Sequence, residues 1–146
     1  KFTVNSKIDN ILKNLVGEEI RQGYLNSNPE RTVRVRTKGT KAFLTIKGKN
    51  QGLIRKEFEY EIPINDAGEL LNLCEPFIID KVRFTFIENN LTWEVDVFKG
   101  VHNGLIIAEV ELEDENQQFE LPDWVETDVS LDPRYYNNNL SKNPLN

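Results

Sequence analysis

Polar and apolar residues alternate strictly between Thr32 and Lys47, with Arg34, Arg36, Thr45 and Lys47 on one parity and Val33, Val35, Leu44 and Ile46 on the other. A period of two predicts two strands, each with an apolar face and a face of fixed positive charge. Lys38-Gly39-Thr40 supplies the turn between them, and residues 48–52 supply the next. The alternation then changes sign. In the segment 55–62, Glu57, Glu59 and Glu61 oppose Phe58, Tyr60 and Ile62. It is positive again at 79–87, where Lys81, Arg83 and Thr85 oppose Val82, Phe84 and Phe86. Two further strands are acidic: Glu94 and Asp96 against Trp93, Val95 and Val97 in 91–98, and Glu109 and Glu111 against Ala108, Val110 and Leu112 in 105–112. With the strand tail at residues 1–4 and a strand at 18–25, eight strands are predicted in meander order.

Two helices interrupt the strands. Ser6 caps the first, with Asp9 three residues on, and Ile8, Ile11, Leu12, Leu15 and Val16 recur at helical spacing until Gly17 ends it. The second follows Pro63, with Asp66 and Glu69 at its start and Leu70, Leu71, Leu73 and Cys74 on its apolar side. Asp132-Pro133-Arg134-Tyr135-Tyr136 opens a short terminal helix. The lone His102, in a glycine-bounded turn, is expected in solvent.

Composition narrows the function classes. A chain of 146 residues is one domain's length, here residues 1–146. A net charge of −6 argues against a general nucleic-acid binder. No stretch approaches the roughly 20 apolar residues of a membrane helix, and the first residues lack a secretory pattern, so the expected location is the cytoplasm. Cys74 is the only cysteine and sits in an apolar run, which suits a buried thiol rather than a nucleophile.

The charged faces could simply be solvated, with ion pairs worth at most about 1 kcal/mol each. The segregation of sign, strand by strand, is explained more economically by a closed antiparallel barrel that is apolar outside, under its helices, and charged inside. Bare charge in such a lumen costs several kcal/mol per ion. Glutamates supply hard oxygen ligands for Mg²⁺ or Mn²⁺, and arginines and lysines suit phosphate oxygens. Phosphate chemistry is therefore the leading inference from charge placement.

Lys1-Phe2, Arg34-x-Arg36, Leu44-Thr45-x-Lys47, Arg55-x-Glu57-x-Glu59, Lys81-x-Arg83, Trp93-Glu94-x-Asp96-x-Phe98, Ala108-Glu109-x-Glu111 and Asp132-Pro133-Arg134-Tyr135-Tyr136-Asn137 follow one another in this order. Together they resemble the CYTH, or triphosphate tunnel metalloenzyme, family across nearly the whole chain. The resemblance implies a mainly β, α+β fold: a closed eight-stranded antiparallel β-barrel with a polar, charged lumen, helices packed outside, and residues 132–146 over one tunnel mouth. The family's opening signature is Glu-x-Glu-x-Lys, of which Lys1 alone is visible, so the N-terminal strand is expected to be trimmed.

The same resemblance implies metal-dependent hydrolysis of the terminal phosphate of a triphosphate. Inorganic tripolyphosphate is the first choice, because no base pocket is recognisable. An adenylate cyclase, a thiamine triphosphatase and a non-catalytic polyphosphate-binding module are the alternatives. Carried over, Lys1, Arg34, Arg36, Lys47, Lys81 and Arg83 grip phosphates, and Arg134 reaches back over one mouth. Glu109 and Glu111 hold Mg²⁺ or Mn²⁺, with Glu57, Glu59, Glu94 and Asp96 ligating directly or through water. Lys81 pairs with Tyr24 in catalysis, and Glu57 or Glu59 takes a proton from the attacking water. The partner is thus a small-molecule triphosphate. A homodimer would use the outer apolar faces or the helices, since closure removes strand edges.

Overall fold

The computed structural model describes residues 1–52, 54–114 and 116–145, so Asn146 of the expected C-terminal cover lies outside the described residues. The strands are β1 (Phe2–Val4), β2 (Glu18–Asn26), β3 (Arg31–Lys38), β4 (Lys41–Gly48), β5 (Glu57–Ile62), β6 (Ile79–Glu88), β7 (Leu91–Lys99), β8 (Ile106–Val110) and β9 (Val125–Asp128). Among the described residues three short α-helices accompany them: α1 (Asp9–Leu12), α2 (Ile64–Leu71) and α3 (Asn137–Leu140). Every strand pairing is antiparallel. No helix among the described residues is long and apolar enough to cross a membrane.

The closed eight-stranded barrel is corrected to a nine-stranded sheet that does not close. Its order is β5-β4-β3-β2-β6-β7-β8-β1-β9. Two meanders, β2 to β5 and β6 to β8, join through β2 and β6, and β1 lies between β8 and β9. The end strands explain the open form. One carries Glu57, Glu59 and Glu61 and the other Glu126 and Asp128, so a ladder between them would set like charges side by side, which destabilises a sheet. The sheet still curls strongly, because Lys1, next to β1, and Arg34 and Thr45, on β3 and β4, line one cavity from opposite ends of the strand order.

Turn chemistry sets the register. The two-residue loop between β3 and β4 opens with Gly39 at φ 60°, the position where a II′ hairpin takes glycine. Asn89 and Asn90, between β6 and β7, both have positive φ, as a I′ turn requires. Register then places the alternating faces as the sequence predicts. Trp93 and Val95 are fully buried on the convex side, packed with Phe2, Ile8 and Trp124, and the two indoles meet edge to face at 4.9 Å. Convex Val35 and Ala42 pack under Ala67 and Leu71 of α2. Gly23 allows this approach: a Cβ there would lie 2.6 Å from Ile78 Cδ1 and 2.8 Å from Cys74 Cβ.

Local expectations differ in several places, among them Cys74, which is only partly buried. The first helix is a 3-10 turn (Ser6–Ile8) followed by the single turn of α1, and Asn5 rather than Ser6 caps it by accepting from Lys7 N–H at 2.9 Å. The second begins at Ile64 after Pro63 and has no side-chain cap. His102 is buried, not solvated. Its Nε2 lies 3.3 Å from Phe77 O and its ring 6.1 Å from Phe98, because Gly100 and Gly104, both at positive φ, fold its turn back onto the protein.

Candidate active site

The concave face carries the alternate residues of each strand. On β2 these are Ile20, Gln22 and Tyr24; on β3, Thr32, Arg34 and Arg36; on β4, Phe43, Thr45 and Lys47, fixed by the pairs Tyr24↔Arg34, Gln22↔Arg36 and Arg34↔Thr45. On the next strands Ile79, Lys81 and Arg83 face Phe98 and Asp96, and Glu94 lies directly across from Glu109. One part of this face is apolar: Ile79, Phe98, Ile107 and Val129 are covered by Leu140 of α3, which therefore packs from the concave side. Beside that plug is a cavity of about 410 Å³, within the usual range for small-molecule sites.

Four cations line the cavity: Lys1, Arg34, Lys47 and Arg55. Their partners are mostly neutral. Lys1 Nζ donates to Tyr135 O at 3.1 Å and lies 5.8 Å from the Tyr136 ring centroid, with Glu109 at 3.6 Å. Arg34 donates to Thr45 Oγ at 3.4 Å and has Glu59 at 3.9 Å. Arg55 Nε donates to Gly48 O at 2.8 Å. Arg36 Nε donates to Gln22 Oε1 at 2.9 Å. Desolvation, then the positive charges of Arg34 and Arg83, push the Arg36 guanidinium down to about 10. This wall is electropositive and partly dry, which suits a polyanion.

The neighbouring cations are differently partnered. Asp96 accepts from Lys81 Nζ at 2.8 Å and from Arg83 Nε and Nη2 at 2.8 and 2.9 Å, while Arg83 also reaches Glu94 at 3.1 Å. Burial alone would raise the Asp96 carboxyl, but the hydrogen bonds from Arg83 and the charge of Lys81 hold it below its usual value. Burial pushes Lys81 down to about 8 despite Asp96. Hydrogen bonding to Asp96 pushes Arg83 up.

The structure sorts the predicted site residues accordingly. Lys1, Tyr24, Arg34 and Lys47 line the cavity, with Arg36 one concave position beyond Arg34. Lys81, Arg83, Glu94 and Asp96 form the buried ionic cluster. Lys81 and Tyr24 are not brought together: Lys81 lies across the ladder from Ile20, two concave positions from Tyr24. Burial raises the Tyr24 phenol, against the pull of Arg34 and Arg36. Glu57 and Glu59 lie on the exposed edge strand β5, where Glu59 accepts from Thr45 Oγ at 2.9 Å. Glu111 is exposed just past β8, its N–H donating to Thr92 O. Arg134 points to solvent and pairs with Asp132 at 2.6 Å, outside the cavity wall. Its place there is taken by Tyr136, Asn137 and Asn138. The predicted site residues omit Arg55, Thr32, Thr45, Tyr136 and these two asparagines. The parity shared by Arg55, Glu57 and Glu59 was a signal for the first; a run of asparagines carries no periodicity.

Glu94 and Glu109 sit directly opposite on adjacent strands, a repulsion already offset in part by Arg83 at 3.1 Å from Glu94 and Lys1 at 3.6 Å from Glu109. Among the described residues no three ligating side chains cluster. Two carboxylates fit the way Mg²⁺ is commonly held, by one or two carboxylates with water and substrate phosphate completing the octahedron.

The CYTH domain model matches residues 1–142. The inorganic triphosphatase of Acetivibrio thermocellus is 50% identical over 125 residues, spanning 85% of this chain and 80% of that protein. The inorganic triphosphatase of Nitrosomonas europaea is 34% identical over 126 residues, 84% of this chain and 83% of that one. The crystal structure of the inorganic triphosphatase NE1496 superposes with a TM-score of 0.73 at 32% identity and covers 89% of each chain. With the CYTH domain model spanning nearly the whole chain and the antiparallel sheet superposing on that structure, the chain belongs to the CYTH domain family.

Proposed function

We propose that this protein hydrolyses the terminal phosphoanhydride of inorganic tripolyphosphate with Mg²⁺ or Mn²⁺. The observation that carries the reading is the cavity wall on which Lys1, Arg34, Lys47 and Arg55 converge, where the carboxylate contacts are the long ones of Lys1 to Glu109 at 3.6 Å and Arg34 to Glu59 at 3.9 Å. The relatives named as inorganic triphosphatases support it.

Arg34, Lys47 and Arg55 hold the phosphoryl oxygens, with Arg36 behind them, and offset the charge that gathers on equatorial and leaving oxygens during in-line displacement. Tyr24, a neutral phenol whose titration burial raises further, donates to one of those oxygens. Glu59, held by Thr45 beside Arg34, accepts the proton of the attacking water. The new bond joins water oxygen to terminal phosphorus, the bridging P–O bond breaks, and orthophosphate and pyrophosphate leave. Glu94 and Glu109 hold the metal, with Glu111 at the rim. When bound, the metal supplies Lewis-acid polarisation of the phosphate oxygens. Asp96, with Lys81 and Arg83, supports the floor of the site.

Trp93 and Trp124 lie in the convex core, so neither offers a platform for a thiamine ring or adenine. The test is a release panel with tripolyphosphate, thiamine triphosphate and ATP under Mg²⁺ and Mn²⁺. Phosphate from tripolyphosphate at the highest kcat/KM is expected. Preferential turnover of either organic triphosphate would overturn the substrate assignment, a cyclic nucleotide from ATP would make it a cyclase, and no turnover at all would leave only a binding module.

A further inference from the structure

Gln22 is a fully buried polar side chain that no part of the mechanism above uses. It sits on the concave side of β2, flanked by Ile20 and Tyr24, with Arg36 across one ladder and Ile79 across the other. Its one described hydrogen bond is the acceptance from Arg36 Nε at 2.9 Å, and its Nε2 is buried without an acceptor. Packing alone does not explain an amide here. Methionine would fill the same length against Ile79 without burying a donor that finds no partner. The bond to Arg36 also fixes the amide's orientation, since the reverse would set two donors against each other.

What sets Arg36 apart from Arg83 is the charge of its partner. Arg83 is gripped through Nε and Nη2 by a carboxylate, which uses its fork and cancels its charge. Arg36 is gripped through Nε alone by a neutral oxygen. That leaves both terminal nitrogens for another acceptor, with the positive charge drawn on only from a distance by Asp96. Burial and the repulsion of Arg34 and Arg83 work against such a cation, so an orienting partner that adds no negative charge is what an anion site requires.

We propose that Gln22 is the positioning residue for Arg36: it aims the guanidinium at the bound polyphosphate while leaving its charge intact. The inference deepens the tripolyphosphatase reading and rests on it for the identity of the anion. Two near-isosteric variants separate the parts of the claim. Gln22→Met removes the acceptor; Gln22→Glu keeps an acceptor and adds a charge that pairs with Arg36.

Both are compared with wild type in steady-state assays, in calorimetric binding of tripolyphosphate with EDTA present, and in thermal melts. Gln22→Glu is expected to melt at or above the wild-type temperature yet raise KM and the metal-free dissociation constant about tenfold, with a shallower salt dependence. Gln22→Met is expected to raise both several-fold. In an Arg36→Met background it should raise neither further, because its effect runs through Arg36. Wild-type binding by Gln22→Glu, or an undiminished effect of Gln22→Met without Arg36, would overturn the proposal and leave Gln22 a packing residue. Binding without turnover by the wild type would defeat the hydrolase reading but still decide the role of Gln22. No binding by the wild type would overturn both.

Discussion

Replacing Asp96 by asparagine isolates the ionic cluster beneath the site. Asp96 is 4% exposed and accepts three charged hydrogen bonds, one from Lys81 and two from Arg83. Asparagine keeps the shape and one acceptor but leaves Lys81, with no exposed surface, facing no negative charge. Lys81 has an escape: its folded-state value is already down to about 8, so shedding the proton near pH 7 costs only on the order of 1 kcal/mol. Arg83 has none, and losing its paired bonds to a carboxylate costs about 1.5–3 kcal/mol, moderated by Glu94 at 3.1 Å. The sum, about 3–4 kcal/mol, matches the 3–5 kcal/mol typical of breaking a buried ion pair from one side. The pH dependence follows from the sign of the Lys81 shift. Its folded value is depressed, so between about pH 8 and 10.5 the unfolded chain binds more protons and this group's contribution to stability rises with pH. At pH 9.5 wild-type Lys81 is already neutral, and the mutational loss shrinks to the Arg83 part, about 2 kcal/mol. Urea unfolding of both proteins at pH 7 and 9.5, extrapolated linearly, measures this. A loss below about 1 kcal/mol at pH 7, or an equal loss at both pH values, would refute the coupling of Lys81 to Asp96.

Three further outcomes are expected. Gly23→Ala places a Cβ 2.6 Å from Ile78 Cδ1 and should lower stability by about 1–3 kcal/mol through overpacking, read as a fall in Tm; an unchanged Tm would show that α2 can shift freely. Glu109→Gln should raise the Mg²⁺ concentration for half-maximal rate at least about tenfold with the unfolding midpoint little changed; an unaltered metal titration would remove Glu109 from the metal site. Arg34→Met should raise KM about 10- to 100-fold, the equivalent of one charge-assisted hydrogen bond of about 1.5–3 kcal/mol, and flatten the dependence of KM on salt.

The faces of the strands were legible in the sequence, and their partners were not. Period two is a local property, so Arg34, Arg36, Lys81, Arg83, Glu94 and Glu109 all fall on the concave side that their parity predicts. Register is not local. Arg36 and Arg83 look alike in the chain, yet the ladders set one beside Gln22 and the other opposite Asp96. Closure is further from reach, since it depends on whether β5 meets β9, two strands far apart in sequence. Residues Val125–Asp128 carry no apolar alternation and form a strand only because β1 offers them an edge. His102 likewise gives no periodic signal; its burial depends on where two positive-φ glycines send the turn.

The open edge bears on the chemistry as well as on the topology. In a closed barrel β5 would be paired on both sides and its concave carboxylates shut in with Arg34, where ion pairing would hold them and neutralise the cation. At the edge of the sheet, Glu59 stays half-exposed, 3.9 Å from Arg34 and tied by Thr45 Oγ. That distance is too long for a tight pair, so the charge of Arg34 is only weakly offset and Glu59 keeps access to solvent. The same strand that leaves the sheet unclosed thus holds a carboxylate that is oriented by Thr45, half-exposed and beside the cationic wall, the combination the proposed proton acceptor for an attacking water needs.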